Sequence, residues 1–202
     1  MGDGMKILVV YYSMEGATEA LARAIARGIE MTPGCEAVLR TAPPVAAQSG
    51  EAMPSVPESG APYVAKNDIR DCGGLALGSP TRFGAPSAPI QHFLDGLAAE
   101  WLSGILVNKP AAVFASSNSM HGGQEATLLS LAVPLLHHGM VLAGIPYTQP
   151  ELRKTTSGGS PYGASHVERA SGNGLTAEEK ILAEALGRRL ASLAQVLATA
   201  EI

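Results

Sequence analysis

Continuous apolar runs alternate with helical patterns along this chain. Strands that are buried on both faces of a sheet lack the apolar–polar alternation of a half-exposed strand. Five runs have this uninterrupted character and predict strands at 6–12, 35–40, 72–79, 110–117 and 140–147. Between and after them, apolar residues recur three and four positions apart. This spacing predicts helices at 17–31, 88–97, 125–139 and 176–200. Pro134 favours a kink in the third helix, and Thr176 with Glu179 has the pattern of a capping box at the start of the last.

Two long stretches have no such period. Residues 41–66 are rich in Pro, Ala, Ser and Gly and are predicted to form a surface excursion, while 148–174 shows no clear element. Alternating strands and helices predict one α/β domain over 1–202, with a doubly wound parallel sheet of order 2-1-3-4-5 and helices on both faces. In that order, ligands bind at the carboxyl ends of strands 1, 3 and 4.

Three loops occupy those strand ends, at 13–18, 78–84 and 117–123, and all are rich in Gly, Ser and Thr. The first, SMEGAT, leads directly into a helix, whose N-terminal N–H groups can bind an anion. Ser13 and Thr18 add hydroxyl groups, but the loop has neither the GxxxxGK[ST] nor the GxGxxG pattern. The sequence therefore favours a phosphate monoester here, with a capped turn that binds nothing as the alternative.

The second loop contains a hydroxyl, a guanidinium and an aromatic ring in succession. Thr81, Arg82 and Phe83 lie between Pro80 and Gly84, which shape a turn. These groups suit a flat heterocycle, which needs apolar contact and a few polar anchors. Pairing of Arg82 with a surface carboxylate is the structural alternative.

The third loop reads ASSNSMHGGQE and favours turns that expose backbone N–H groups. Such N–H groups could hydrogen-bond the polar edge of a ring and stabilise negative charge on it. The adjacent residues His137 and His138 lie near a helix end and point to different faces, which disfavours a shared metal ion. Trp101, the single tryptophan, is either a core residue or a pocket wall.

Composition excludes several classes of protein. Apolar residues make up 46% of the 202 residues, enough for a core without disulfides or metal ions. The net charge of −4 and the lack of a basic block disfavour nucleic-acid binding. Cys35 and Cys72 are far apart, which fits a reducing compartment. Without a signal-peptide pattern or an apolar stretch of about 18 residues, we expect a cytoplasmic protein with no membrane insertion.

Six motifs together carry a family resemblance: YYSMEGAT, GSPTRFG, FLDGLAAEW, HGGQE, LLHHGM and SPYGAS. Their order and spacing over about residues 5–195 resemble the WrbA-type NAD(P)H:quinone oxidoreductases. The resemblance implies a flavodoxin-like fold, FMN as cofactor and a homotetramer, with a dimer as the alternative. It also implies two-electron reduction of quinones to hydroquinones by NADH or NADPH, for which one shared pocket predicts ping-pong kinetics.

The resemblance also assigns residues to the site. It implies catalytic roles for Arg82, for Trp101 against the quinone, and for His137 at the flavin edge. The segment 148–174, with Ser160, Pro161, Tyr162 and Gly163, would support assembly of the tetramer. The implied FMN-binding residues are His137 and the members of the three loops: Ser13, Met14, Glu15, Gly16, Ala17 and Thr18; Pro80, Thr81, Arg82, Phe83 and Gly84; and Ser117, Asn118, Ser119, Met120, His121 and Gly122.

The chain departs from the family pattern at Glu15, where an aromatic or other stacking residue is frequent, and in the third loop, which is less glycine-rich. Because backbone N–H groups bind the phosphate, our hypothesis is that Glu15 leaves FMN binding intact and weakens binding of the nicotinamide donor. Two alternative functions remain at this level: a flavodoxin-like one-electron carrier, and an FMN-binding or protein-interaction module without turnover. The mild net charge disfavours the carrier.

Overall fold

The computed structural model describes residues 4–45, 56–168 and 174–200. Its strands and helices alternate along most of the chain. The strands are β1 (Met5–Tyr11), β2 (Cys35–Thr41), β3 (Gly74–Arg82), β4 (Ala85–Pro86), β5 (Pro110–Ser117), β6 (Val141–Leu142) and β7 (Ala164–Val167). The helices are α1 (Ala17–Glu30), α2 (Lys66–Asp71), α3 (Ala88–Asp95), α4 (Ala98–Leu102), α5 (Gln124–His137), α6 (Glu151–Lys154) and α7 (Ala177–Thr199). Of these helices, none is both long and apolar enough to span a membrane.

The predicted doubly wound parallel sheet is confirmed. Strands β2, β1, β3 and β5 are neighbours in that order and all run parallel, and β6 follows at the edge. The order matches the predicted 2-1-3-4-5, since β5 is the fourth principal strand. The carboxyl ends of β1, β3 and β5 therefore meet at one edge of the sheet.

The fifth position of the sheet differs from the prediction, because two short strands share it. Within the predicted strand 140–147, only β6 pairs with the start of β5, and β7 pairs in parallel with its last four residues. After β6 the chain turns away from the sheet, where the Ile145 N–H donates to Pro161 O over 3.0 Å. The expectation of no clear element in 148–174 was thus wrong for the described residues, which include α6 and β7. Four strand residues are too few to give a recognisable period.

Two hydrophobic layers cover the sheet, and they explain the uniformly apolar strands. In β1, Ile7, Val9 and Tyr11 pack with α1 and α7 on one face. Leu8 and Val10 pack on the other face with residues of α3 and α5. Every second side chain of a strand points to the same face, so a strand between two layers needs apolar residues at every position.

Helices α1 and α7 approach each other through two glycines. A Cβ atom on Gly28 would overlap the carbonyl oxygen of Glu184, and one on Gly187 would overlap that of Ile25. Each glycine therefore lets the backbone of one helix contact that of the other. The contact fixes α1, and with it the loop at its N-terminus.

Smaller differences concern element boundaries. The predicted helix 88–97 is α3, followed after a break at Gly96 and Leu97 by α4, which the sequence did not predict. In the excursion 41–66, residues 46–55 lie outside the described residues. The part of the excursion that leads back to the domain runs beside the end of the edge strand β2. There the Thr41 N–H donates to Pro62 O and the Val64 N–H donates to Thr41 O. Cys35 and Cys72 are free thiols.

Candidate functional site

The three predicted loops meet in one cavity at the carboxyl edge of the sheet. Residues from all three loops line it, together with Ser116 at the end of β5 and Glu168 after β7. The lining residues are Ser13, Met14, Glu15, Ala17, Thr18, Pro80, Arg82, Ser116, Asn118 and Glu168. The doubly wound topology brings these residues together from positions more than 150 apart in the chain.

The first loop presents the N-terminus of α1 to the cavity. Gly16 caps the helix in a left-handed conformation (φ 92°), and its N–H donates to Ser13 Oγ over 3.1 Å. The cap residue is a glycine and so offers no side chain of its own to the first-turn N–H groups. The buried hydroxyls of Thr18 and Ser116 are hydrogen-bonded 2.8 Å apart, which ties the first turn of α1 to β5. A fixed helix N-terminus with hydroxyls beside it is suited to bind an anion.

The second loop is the tip of a tight hairpin. Strands β3 and β4 pair antiparallel, and Phe83 and Gly84 between them both have positive φ angles (53° and 79°). A two-residue hairpin needs this backbone, but it is costly for an aromatic residue. The Phe83 side chain is fully exposed at the tip. Arg82 reaches back to the first loop, where its Nη2 lies 3.1 Å from Met14 Sδ.

The second and third loops contact each other closely. Thr81 donates its hydroxyl to Gly123 O over 3.2 Å. A Cβ atom on Gly123 would lie 2.8 Å from the Cα of Gly84, so the approach requires glycine at 123. The relative position of the two loops is thereby fixed.

The third loop is ordered around one carbonyl oxygen. Ser119 O accepts hydrogen bonds from Ser117 Oγ (2.9 Å), Gln124 Nε2 (3.0 Å) and Gly122 N (3.1 Å). Among the described residues, the buried Oε1 of Gln124 has no partner. His121 has a positive φ of 58°, and Met120 is exposed. The loop is therefore preformed, with residual hydrogen-bonding capacity at Gln124.

Sequence reasoning missed two residues of the cavity, Ser116 and Glu168. Ser116 belongs to strand β5. Only the structure shows that it lines the cavity, where its hydroxyl is hydrogen-bonded to that of Thr18. Glu168 follows β7, the strand that the sequence did not predict, and its N–H donates to Ser117 O over 2.8 Å. The motif SPYGAS, which precedes this position, was the one available signal.

Trp101 and His137 lie close to each other but not to the loops. Trp101 Nε1 donates to His137 O over 3.1 Å, and the two ring centroids are 6.1 Å apart. Helix α5 starts at the third loop and ends at His137, and 14 helical residues span about 20 Å. Both residues line a second cavity of about 460 Å³ beside Leu97 and Pro134. Within one chain, these two predicted site residues are therefore separated from the other predicted ones.

His138 also lines this second cavity and is half-buried. Burial lowers the pKa of His138, the neighbouring His137 lowers it further, and Glu100 opposes both effects. Glu100 is itself buried, with Oε1 3.4 Å from Arg70 Nη2. At neutral pH the imidazole of His138 is therefore uncharged.

A buried carboxylate anchors the segment that carries Glu168. His166 Nδ1 lies 2.7 Å from Glu179 Oε2, and Glu179 also accepts from the Ser157 hydroxyl at 2.7 Å and the Gly158 N–H at 2.8 Å. Burial raises the pKa of Glu179, but the hydrogen bonds from His166, Ser157, Thr176 N and Gly158 N outweigh it and lower the pKa to about 2. The predicted capping box is part of this network, since Glu179 N–H donates to Thr176 Oγ1 over 3.2 Å.

Comparisons with known proteins identify a family, relatives of similar sequence and structures of the same fold. Residues 5–148 match the model of a family described as NADPH-dependent FMN reductase. A protein of Geotalea daltonii named NAD(P)H dehydrogenase (quinone) is 40% identical over 204 residues, 97% of this chain and 100% of the relative. A protein of the same name from Geobacter sulfurreducens is 39% identical over 96% of this chain and 99% of its own length. The crystal structure of a flavodoxin, WrbA-like protein from Agrobacterium tumefaciens has the same fold, with a TM-score of 0.69 at 20% identity over 96% of this chain and 99% of that one.

Proposed function

The chain belongs to the NADPH-dependent FMN reductase family, and from this membership we propose that it binds FMN and reduces quinones with electrons from NADH or NADPH. The observation that carries the proposal is the convergence of the three loops on one cavity. The names of the relatives from Geotalea daltonii and Geobacter sulfurreducens support the choice of donor and acceptor.

The residues of the three loops fit FMN. Its phosphate would bind the N-terminal N–H groups of α1 with the hydroxyls of Ser13 and Thr18, without need of a lysine. Its ring system would lie between the hairpin tip at Phe83 and the third loop, which offers backbone N–H groups. Gly84 and Gly16 have open space where a Cβ would lie, as the approach of a ligand to the backbone requires.

The protein's part in the reaction is to bind and orient. FMN, when bound, supplies the hydride chemistry that connects a two-electron donor with a two-electron acceptor. Arg82 would orient the ring edge or the incoming nucleotide, since it lines the cavity and its Nη2 lies 3.1 Å from Met14 Sδ in the first loop. Phe83 offers a stacking surface for a planar quinone. Donor and acceptor would use the same open surface in turn, which gives ping-pong kinetics.

Trp101 and His137 would complete the site from another subunit. His137 ends α5, which begins at the third loop and is about 20 Å long, and Trp101 is hydrogen-bonded to His137. In a symmetric homo-oligomer, the end of α5 of one subunit can lie on the loops of the next. There Trp101 would stack on the quinone, and His137 would hydrogen-bond its oxygen or supply a proton. We therefore include a homotetramer, with the segment around Tyr162 at its contacts, in the proposal.

Absorption spectroscopy tests the function directly. The purified protein is incubated with FMN, passed through a gel-filtration column, and mixed first with NADH and then with benzoquinone. Retained flavin bands that bleach with NADH and return with benzoquinone are expected. Retained bands without bleaching would instead indicate a one-electron carrier, and the loss of flavin on the column would indicate a module without this cofactor.

A further inference from the structure

Glu168 lies at the anion-binding end of the cavity. It lines the same cavity as Ala17 and Thr18, which belong to the first turn of α1. The hydrogen bond from its N–H to Ser117 O fixes its backbone at the end of β5. The position of this acidic residue is therefore set by the sheet itself.

The alternation of strand β7 indicates where the carboxylate points. His166 is in register with Ser116, and its side chain is bonded to Glu179 on the face of the sheet covered by α1 and α7. Side chains two positions apart in a strand share a face. Glu168 follows the last residue of β7, its N–H continues the pairing with β5, and it lines the cavity with Ala17 and Thr18, so we infer that its side chain is on the face that carries α1. The N-terminus of α1 bears partial positive charge on its N–H groups, which attract a carboxylate as they attract a phosphate.

We propose that Glu168 is a specificity-determining residue, whose carboxylate competes with the phosphate of the flavin for the N-terminus of α1. The inference rests on the proposed function, because it presumes that a flavin binds this cavity. Glu168 would weaken the binding of FMN, which carries a phosphate, and leave the binding of riboflavin, which has none, nearly unchanged. The site would thus discriminate less between the two flavins than its anion-binding geometry alone allows.

The expected size follows from Coulomb's law. One carboxylate a few ångströms from a phosphate dianion, in a cavity open to water, changes the dissociation constant by roughly threefold to tenfold. Glu15 and Arg82 also line the cavity. Their contribution is the same in the variants compared below, so the difference reports on Glu168.

The experiment measures flavin binding without turnover. Quenching of flavin fluorescence gives the dissociation constants of FMN and riboflavin for the unaltered chain, Glu168→Gln and Glu168→Asp. Glu30→Gln, an exposed position at the other end of α1, is the matched control for loss of one negative charge. We expect Glu168→Gln to bind FMN roughly threefold to tenfold more tightly, with a weaker effect at high salt and no change for riboflavin. Glu168→Asp and Glu30→Gln should bind both flavins as the unaltered chain does.

Other outcomes overturn the inference in distinguishable ways. Weaker binding of both flavins to Glu168→Gln would mean that the carboxylate accepts hydrogen bonds from the ribityl chain. Unchanged FMN binding would mean that Glu168 does not contact the anion-binding end. Either result leaves the proposed function intact. If the unaltered chain binds neither flavin, the proposed function fails, and the inference fails with it.

Discussion

Trp101 and His137 are joined by a hydrogen bond of 3.1 Å from the indole N–H to the backbone carbonyl oxygen, at the end of α5 opposite to the loop cavity. The bond holds the indole against the end of α5, with the two rings 6.1 Å apart and tilted by 47°. A carbonyl oxygen at a helix C-terminus lacks an intrahelical hydrogen-bond donor, so the indole N–H also supplies the donor that the His137 carbonyl needs. The bond therefore keeps the two side chains side by side at the helix end.

This geometry predicts that two inactive variants complement each other. The double variant Trp101→Ala, His137→Ala should lose at least about a hundredfold in quinone turnover, because it lacks stacking and proton supply. Gly16→Val should lose flavin, since valine is strained at a φ of 92°. After co-refolding in equal amounts, about a quarter of the sites would combine intact loops with an intact pair, if the site spans two subunits.

Steady-state assays of the refolded mixture measure the recovered activity. Each variant refolded alone is the control and should stay inactive. Activity of the mixture no higher than the mean of the two separate variants would contradict a site shared between subunits.

A second prediction concerns Glu15, which is exposed and lines the loop cavity. Glu15 is exposed whereas Glu168 is half-buried, so water screens the Glu15 carboxylate more strongly from the flavin phosphate. We expect Glu15 to act on the nicotinamide donor, whose phosphates approach from solvent and would be repelled. Glu15→Tyr should therefore lower the KM for NADH by roughly threefold, with the FMN content unchanged. Glu15→Gln separates the loss of charge from the gain of a stacking ring. An unchanged KM in both variants would disprove the hypothesis.

Much of the fold and of the loop cavity could be predicted from the sequence, for a physical reason. The strands that are buried on both faces have uninterrupted apolar runs, Ile7–Tyr11 in β1 and Pro110–Ala115 in β5, so both strands were predicted within one residue of their observed ends. The topology then identified three strand ends, and the structure brings residues of all three loops into one cavity. Their roles in binding and catalysis remain predictions.

The parts that could not be predicted depend on tertiary contacts. Strand β7 has four residues and no period, and it forms because β5 offers an unpaired edge beyond β6. Without β7 there was no means to place Glu168 in the cavity. The separation of Trp101 from the loops likewise depends on the direction of α5 in three dimensions. The family resemblance predicted a role for Trp101 but gave no information on its distance from the loops of the same chain.

A third prediction concerns the contact between α1 and α7. In Gly187→Ala the new methyl group would overlap the carbonyl oxygen of Ile25, and backbone atoms cannot move away as a flexible side chain can. The helices must separate, which should lower the free energy of unfolding by about 1–3 kcal/mol, although alanine favours the helix more than glycine.

Urea denaturation followed by circular dichroism measures the effect of Gly187→Ala. Ser192→Ala, an exposed position of the same helix, is the control and should change stability by no more than about 0.5 kcal/mol. A Gly187→Ala variant as stable as this control would contradict the predicted overlap.

The last prediction concerns Glu179, the buried carboxylate that binds His166 and the loop at Ser157. Its pKa falls from an ordinary 4.5 to about 2 in the folded protein, because its hydrogen bonds outweigh the effect of burial. A carboxyl with a lowered folded-state pKa stabilises the protein fully above its unfolded-state pKa, and this contribution is lost as the pH falls from 4.5 towards 2. Its size at pH 7 is about 3 kcal/mol.

Glu179→Gln should therefore be less stable by about this amount at pH 7, and the difference from the unaltered protein should narrow in more acidic solution. Urea denaturation at pH 7, 5 and 3.5 measures this difference, with Glu178→Gln on the same helix turn as the control. A difference that stays constant from pH 7 to 3.5 would mean that the ionised form of Glu179 is not what the network stabilises.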